Sequence, residues 1–141
     1  MDKTIARLNH LLVASHDATL IYRHLASNAA SADQQRLFST REQECVALMS
    51  CLQNQVVAYG GMPSQQPSVS GVLRRSWFGL KTALAADSAR VRMRAALATE
   101  KTIRHGFEQL LGEQLSAEFR QQLQEHNSLS VEFERQFRAR L

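Results

Sequence analysis

Apolar residues recur at spacings of three and four along most of this chain, which is the pattern of helices that each bury one stripe. The first such segment spans residues 3–29, and its stripe consists of Ile5, Leu8, Leu12, Ser15, Thr19 and Tyr22. A second helix is predicted over 32–60, from the capping box of Ser31 and Gln34 to Gly60-Gly61. Its stripe consists of Leu37, Arg41, Glu44, Cys45, Leu48, Leu52, Val56 and Tyr59.

Three further helices are predicted after the breaker-rich segment GGMPSQQPS, residues 60–68. A short helix over 70–86 has an apolar face formed by Leu73, Trp77, Leu80 and Leu84. The helix over 89–111 ends at Gly112, and its stripe is Met93, Ala96, Glu100, Ile103, Phe107 and Leu111. Ser116 caps the last helix, 116–140, whose stripe is Phe119, Leu123, His126, Ser130, Phe133 and Phe137.

Four long helices joined by short turns near residues 30 and 113, with a long central connection, indicate an all-α four-helix bundle with one crossover. Ferritin-like folds have this connectivity. The fifth, shorter helix then belongs to the crossover and packs across the bundle. Because 141 residues suffice for one ordinary domain, we expect residues 1–141 to form a single bundle domain.

Composition narrows the class of protein further. The two prolines argue against an all-β fold, and no apolar run approaches the roughly 20 residues that a membrane span needs, so we expect a soluble, cytoplasmic protein. Cys45 and Cys51 are separated by a helical rise of about 9 Å, which is longer than a disulfide spans, so both are expected to be reduced thiols.

The net charge of +4 comes from scattered cationic residues. Only the crossover helix has a local basic face, formed by Arg74, Arg75 and Lys81. Nucleic acid is therefore not expected as a partner, and an acidic partner bound through the crossover helix is one alternative.

The buried stripes also contain polar residues near the middle of each long helix. We expect them to form one buried polar cluster of Ser15, Thr19, Arg41, Glu44, Glu100 and His126. Glu100 and His126 stand at similar distances from the turn near residue 113, so the pattern predicts a hydrogen-bonded pair between them.

This cluster lacks the ligand set of a di-iron bundle, which requires two Glu-x-x-His pairs and two further acids. Leu123 stands three residues before His126, Ala47 three after Glu44, and the first helix offers no acid at this level. A single metal ion held by Glu44, Glu100 and His126 is an alternative. We otherwise expect no cofactor, with the charged residues of the cluster neutralising one another.

Several segments resemble a bacterial ferritin-like family that is catalogued only as a domain of unknown function (two-three-eight-three). They are LNHLLVASHDATLIYRHLA (8–26), LQNQVVAYGGMP (52–63), VSGVLRRSWFGLKTALAADS (69–88) and ATEKTIRHGFEQLL (98–111). Glu100 stands where that family usually has an acid. The resemblance implies a ferritin-like bundle of bacterial origin with no established activity, in a family sometimes discussed alongside stress proteins.

The leading functional hypothesis is a non-enzymatic bundle that acts through its surface, with a stress-related role implied by the resemblance. The alternatives are the mononuclear metal or redox bundle and the module for an acidic partner. A second apolar strip on the first helix, formed by Ala6, Val13, Leu20 and Ile21, predicts a homodimer through that helix or through the crossover helix. The competing explanation is that Trp77 and Phe78 of the crossover helix cover the strip.

Overall fold

The computed structural model describes residues 2–64 and 89–141, and all the regular structure in these ranges is α-helical. The four helices are α1 (Asp2–Ser27), α2 (Ala32–Ala58), α3 (Ala89–Leu111) and α4 (Ala117–Ala139). The all-α four-helix bundle predicted from the sequence is confirmed, with helix ends that differ from the prediction by only a few residues. The predicted short helix over 70–86 lies outside the described residues.

The sequence signals at the helix ends perform the roles expected of them. The Ser31 hydroxyl accepts the backbone N–H of Gln34 at 3.1 Å, and the Ser116 hydroxyl accepts that of Phe119 at 3.1 Å. At the end of α2, Gly60 has a φ of 82°, and the N–H of Gly61 reaches the carbonyl of Val56 at 2.9 Å. This is a Schellman turn, and it stops α2 where the glycine pair predicts.

Neighbouring helices in the bundle run antiparallel. α1 packs against α2 and α3, and α4 packs against the same two helices. The start of α1 meets the end of α3 through the Arg7–Glu113 ion pair, and the start of α2 meets the residues after α4 through Asp33 and Arg140, 2.6 Å apart.

This pairing fixes where the central connection begins and ends. Ser64 lies beside the start of α1, because its backbone N–H donates to Asn9 Oδ1 at 2.9 Å. The Tyr22 hydroxyl, near the end of α1, lies 3.3 Å from the carbonyl oxygen of Ala96 on α3. Ala89 precedes Ala96 by two turns, so Ser64 and Ala89 stand at opposite ends of the bundle. The two ends of the central connection are therefore far apart, which agrees with the long connection predicted from the sequence.

The core contains an aromatic layer formed by Tyr22, Phe38, Phe133 and Phe137. Their contacting rings have centroids 5.2 to 6.3 Å apart. Leucines from α1 and α2 continue the core towards the other end, among them Leu8, Leu11, Leu12, Leu48 and Leu52. α3 approaches α1 closely at Gly106, where a Cβ atom would lie 2.8 Å from Leu11 Cδ1.

The second apolar strip predicted on α1 is largely covered in the structure. Ala6 is exposed, whereas Val13, Leu20 and Ile21 are half-buried. None of the helices in the described part of the chain has the length and apolar character to cross a membrane.

Candidate functional site

One residue from each of the four helices meets in the centre of the bundle, around the carboxylate of Glu100. The set consists of Tyr22 on α1, Arg41 on α2, Glu100 on α3 and Ser130 on α4, which we call the Glu100 cluster. Glu100 is 0% exposed and Arg41 is 2% exposed, so the central charge pair is shielded from solvent.

The Glu100 carboxylate accepts four hydrogen bonds, two on each oxygen. Arg41 donates from Nε to Oε2 at 3.0 Å and from Nη2 to Oε1 at 2.8 Å. The Ser130 hydroxyl donates to Oε1 at 2.5 Å, and the Tyr22 hydroxyl donates to Oε2. Two parallel charge-assisted hydrogen bonds from a guanidinium are each stronger than a bond between neutral groups, and they fix the geometry of the pair.

Arg41 has further partners at the edge of the Glu100 cluster. Its Nη1 donates to Glu44 Oε1 at 3.2 Å, and its guanidinium carbon lies 5.8 Å from the centre of the Phe133 ring. The Glu44 side chain is 24% exposed, so it forms the outer limit of the polar cluster. Contact with an aromatic face adds a cation–π attraction to the buried charge pair.

Burial keeps two weak acids protonated, Tyr22 within the Glu100 cluster and Cys45 beside it. Burial and the negative charge of Glu100 hold the pKa of the Tyr22 hydroxyl well above its usual value. Burial also raises the pKa of the Cys45 thiol from 9.0 to about 12. At neutral pH Tyr22 is therefore a hydrogen-bond donor and Cys45 is a neutral thiol, which makes Cys45 a poor nucleophile.

Of the six residues predicted to form a buried polar cluster, the structure brings together Arg41, Glu44 and Glu100. Ser15 and Thr19 are buried, but their hydroxyls donate to carbonyls of their own helix, those of Leu11 at 2.7 Å and His16 at 2.6 Å. The hydrogen bonds of both hydroxyls are therefore made within α1, as is common for Ser and Thr inside helices, and neither hydroxyl contacts Glu100.

His126 has a different position from the one predicted. The partner of Glu100 on α4 is Ser130, one helical turn beyond His126, because the five residues Gly112–Ser116 between α3 and α4 set the register of this pair. His126 is half-buried and lines an open pocket of about 380 Å³ together with Cys51, Asn54, Gln55, Gln122 and Glu125. Burial and the positive charge of Arg41 lower the pKa of His126.

Tyr22 and Ser130 are the members of the cluster that sequence reasoning missed as partners of Glu100. Both stand on predicted buried stripes, Tyr22 one turn beyond Thr19 and Ser130 one turn beyond His126. A hydroxyl on a buried stripe needs a partner, and Glu100 is the acceptor that needs donors. This complementarity is the signal that could have identified them.

The candidate metal ligands Glu44, Glu100 and His126 are not assembled into a metal-binding group. Across residues 2–64 and 89–141, no three His, Cys, Asp or Glu side chains are placed to hold a metal ion. Both oxygens of Glu100 already accept two hydrogen bonds each, and the guanidinium of Arg41 occupies the side of the carboxylate that a cation would approach. The positive charge beside Glu100 is therefore supplied by the chain itself.

Two surface features accompany this closed interior. A mostly apolar groove of about 250 Å³ runs between α1 and α3, lined by Ala14, Asp17, Ala18, Ile21, Ala95, Ala98, Thr99 and Thr102. On the outer side of α3, the exposed residues Arg90, Arg94 and Lys101 follow one another at spacings of four and seven, which places them on one helix face. The expectation that only the crossover helix has a basic face is therefore wrong, because these three residues are too far apart in sequence to stand out as a cluster. Arg74, Arg75 and Lys81 of the predicted crossover helix lie outside the described residues.

Of three comparisons with known proteins, the one with protein families gives a match. Neither the curated proteins nor the solved structures include a match to this chain. A family model does match residues 3–113, which cover α1, α2 and α3 and include three of the four residues of the Glu100 cluster. With most of its length inside that match, the chain belongs to the family described as a domain of unknown function, DUF2383.

Proposed function

We propose that this protein is a non-catalytic helical bundle that acts by binding partners on its surface. The observation that supports this most directly is the saturation of Glu100. Its oxygens accept four hydrogen bonds, and its charge is balanced by Arg41. A carboxylate with no free acceptor position holds helices together and has no capacity left for a metal ion or a substrate.

Metal analysis tests this proposal. The protein is purified without chelators, its metal content is measured, and its thermal midpoint is compared with and without EDTA. We expect no stoichiometric metal and an unchanged midpoint. Stoichiometric metal that is lost in His126→Ala, and kept in the exposed control His105→Ala, would overturn the proposal and establish the mononuclear metal or redox bundle instead.

Binding of an acidic partner is the second candidate function, and the charge of α3 favours it. Five residues of α3 are cationic, namely Arg90, Arg92, Arg94, Lys101 and Arg104. Its two acids are Glu108 and the buried Glu100, which is neutralised by Arg41. Arg92 is buried and Arg104 pairs with Glu134, so the exposed charges of α3 are Arg90, Arg94 and Lys101 against the single acid Glu108. The outer face of α3 therefore has an excess of positive charge.

Fluorescence anisotropy with labelled poly-glutamate tests this second candidate. We expect binding that weakens as salt concentration rises, since exposed charges are screened. Reversing three charges with Arg90→Glu, Arg94→Glu and Lys101→Glu should weaken the binding strongly, whereas Lys3→Glu on α1 should reduce it only slightly. Binding that is insensitive to salt, or unchanged in the triple variant, would contradict an acidic partner on α3.

A stress-related role is the part of the proposal that rests on the sequence resemblance alone. It is tested in cells that carry the natural gene by measuring the abundance of this chain before and after heat or oxidant exposure, with a constitutive protein as the control. We expect a rise of several-fold. An unchanged abundance under both treatments would remove the stress-related role and leave the surface-binding function standing.

A further inference from the structure

The second half of α2 and the turn after it lack charge altogether. From Cys45 to Ser64 the sequence contains no Asp, Glu, Lys, Arg or His, whereas 20 residues of an average protein include about five charged ones. Part of this stretch faces solvent. The exposed residues of this half of the helix, which we call the α2 face, are Val46, Ala47, Ser50, Asn54, Val57 and Ala58.

The absence of charge on the α2 face sets it apart from the outer faces of the other helices. α1 exposes Lys3 and Arg23, α3 exposes Arg90, Arg94 and Lys101, and α4 exposes Glu118, Glu125, Glu132, Arg135 and Arg138. On the α2 face, by contrast, Val46 is 43% exposed and Val57 is 61% exposed. Depletion of charged residues is the compositional mark of the centre of a protein interface.

The pattern of the α2 face is also self-complementary. Its six residues are arranged symmetrically about residue 52, so an antiparallel copy of α2 centred there would bring Val46 opposite Ala58 and Val57 opposite Ala47. Each large side chain then meets a small one, which lets two helices pack closely. The remaining pair is Ser50 and Asn54, whose hydroxyl and amide can hydrogen-bond across the contact.

A two-fold interface explains why this face carries no charge. In a symmetric dimer every charge near the axis is present twice, and the two copies lie close together across the interface, so an unpaired charge there would be repelled by its own copy. We propose that the α2 face is the interface of a symmetric homodimer, in which α2 packs antiparallel against α2 of a second copy. This rests on the proposed surface-binding function and names a second copy of this chain as one of the partners.

Light scattering on the full chain at micromolar concentration is the first test. We expect a dimer for the wild type and a monomer for Ala47→Glu, with the thermal unfolding transition still cooperative because Ala47 is exposed. Gln121→Glu adds the same charge to an exposed position of α4 and should leave the dimer intact. A monomeric wild type would overturn the proposal. A dimer that persists in Ala47→Glu and is lost in Leu20→Glu would also overturn it, in favour of α1.

Cross-linking tests the register. In a Cys51→Ser background, Ser50→Cys combined with Asn54→Cys should give a covalent dimer under mild oxidation, since each residue faces the other in the second copy. Lys101→Cys combined with His105→Cys, at the same spacing on α3, is the matched control and should give none. Equal cross-linking at both positions would reflect random collision and refute the interface.

Charge complementation guards against a variant that merely misfolds. Ser50→Glu should produce a monomer, and adding Asn54→Arg should restore the dimer, because the two new charges attract across the interface. Failure of the second substitution to restore a folded Ser50→Glu protein would count against the register. These readouts report oligomeric state alone. Stoichiometric metal binding would therefore overturn the surface-binding function and leave the expected oligomeric states unchanged. A monomeric wild type would overturn the interface and would not by itself be evidence for a metal site.

Discussion

Glu100 accepts hydrogen bonds from the other three helices, and this single residue does much to define how the helices stand relative to one another. A buried ion pair contributes little net stability, because removing two charges from water offsets most of their attraction. Its geometric demands are strict, however, since a shift of one residue along any helix would leave a charge or a hydroxyl without a partner. We infer that the Glu100 cluster specifies the register of the bundle more than it raises its stability.

Replacing Glu100 by Gln tests this interpretation. The substitution keeps the size of the side chain but removes the buried counter-ion of Arg41 and leaves only the partly exposed Glu44 as its partner, so we expect the free energy of unfolding to fall by about 3–5 kcal/mol. Urea denaturation followed by circular dichroism measures the change. The control is Glu132→Gln, which breaks the exposed Glu132–Arg135 pair and should leave the midpoint unchanged.

The double variant Glu100→Gln with Arg41→Met gives the complementary measurement. Because it removes both charges, it should be more stable than Glu100→Gln alone, even though two residues differ from the wild type. If the double variant were the less stable of the two, Arg41 would contribute mainly through its packing and its contact with Phe133. The charge-pairing account would then be wrong.

The pH dependence of stability follows from the raised pKa values of Cys45 and Tyr22. Between pH 9 and pH 12 the folded protein retains the proton of Cys45, which the unfolded chain releases. The unfolded state binds fewer protons there, so stability falls as pH rises. We expect the urea midpoint to decrease between pH 8 and pH 10.5, and to decrease less steeply in Cys45→Ala. Equal slopes for the two proteins would contradict a buried, protonated thiol.

For single residues, the sequence predicts which polar side chains are buried more reliably than it predicts which of these side chains are in contact. Arg41 and Glu100 are placed by helical periodicity, and both are buried. The partner of Glu100 on α4 depends on where the chain re-enters the helix after Leu111. Periodicity within a helix carries no information about that register between helices, which is why Ser130 rather than His126 meets Glu100.

At the scale of elements, the helix ends are the best-determined features, because each depends on a few local residues. The capping serines and Gly60 act through hydrogen bonds to backbone groups within six positions along the chain. Such signals are complete in the sequence itself. The end of α2 was therefore predictable, whereas the close approach of α3 to α1 at Gly106 depends on tertiary packing that no local pattern contains.

Gly60→Ala measures how strongly the turn after α2 depends on its glycine. The φ of 82° places Gly60 in the left-handed region, where a residue with a Cβ atom is disfavoured by about 1–2 kcal/mol. No heavy atom stands within 4 Å of the position that a new Cβ would take, so the cost should be that of the backbone alone. We expect a loss of this size in the free energy of unfolding.

Gly112→Ala is the matched control for this prediction. Gly112 follows α3 without a left-handed φ, and a Cβ there would make only ordinary contacts, at 3.4 Å and beyond. Its replacement should change stability much less than Gly60→Ala does. If the two variants lost equal stability, the conformation of Gly60 would not be what ends α2.

At the scale of the whole molecule, loop lengths predicted the arrangement of the helices. The short connections at residues 28–31 and 112–116 require antiparallel neighbours, and the ends of the central connection lie at opposite ends of the bundle. Loop lengths do not predict which residues are in contact between helices that are distant in sequence, such as α1 and α3. That pairing is defined by packing of the closed bundle, including α4.

The family match ends at residue 113, but the fold does not. α4 contributes Phe119, Leu123, Phe133 and Phe137 to the core, and Ser130 to the Glu100 cluster. A fragment of residues 1–113 would expose the apolar faces of α2 and α3 and leave Glu100 with one donor fewer.

We therefore expect this fragment to lack a cooperative thermal transition and to bind a hydrophobic dye. A peptide of residues 114–141 should restore the transition when it is mixed with the fragment. A fragment that unfolds cooperatively near the midpoint of the full chain would show that α1, α2 and α3 form a stable unit by themselves, and that the Glu100 cluster does not need its fourth helix.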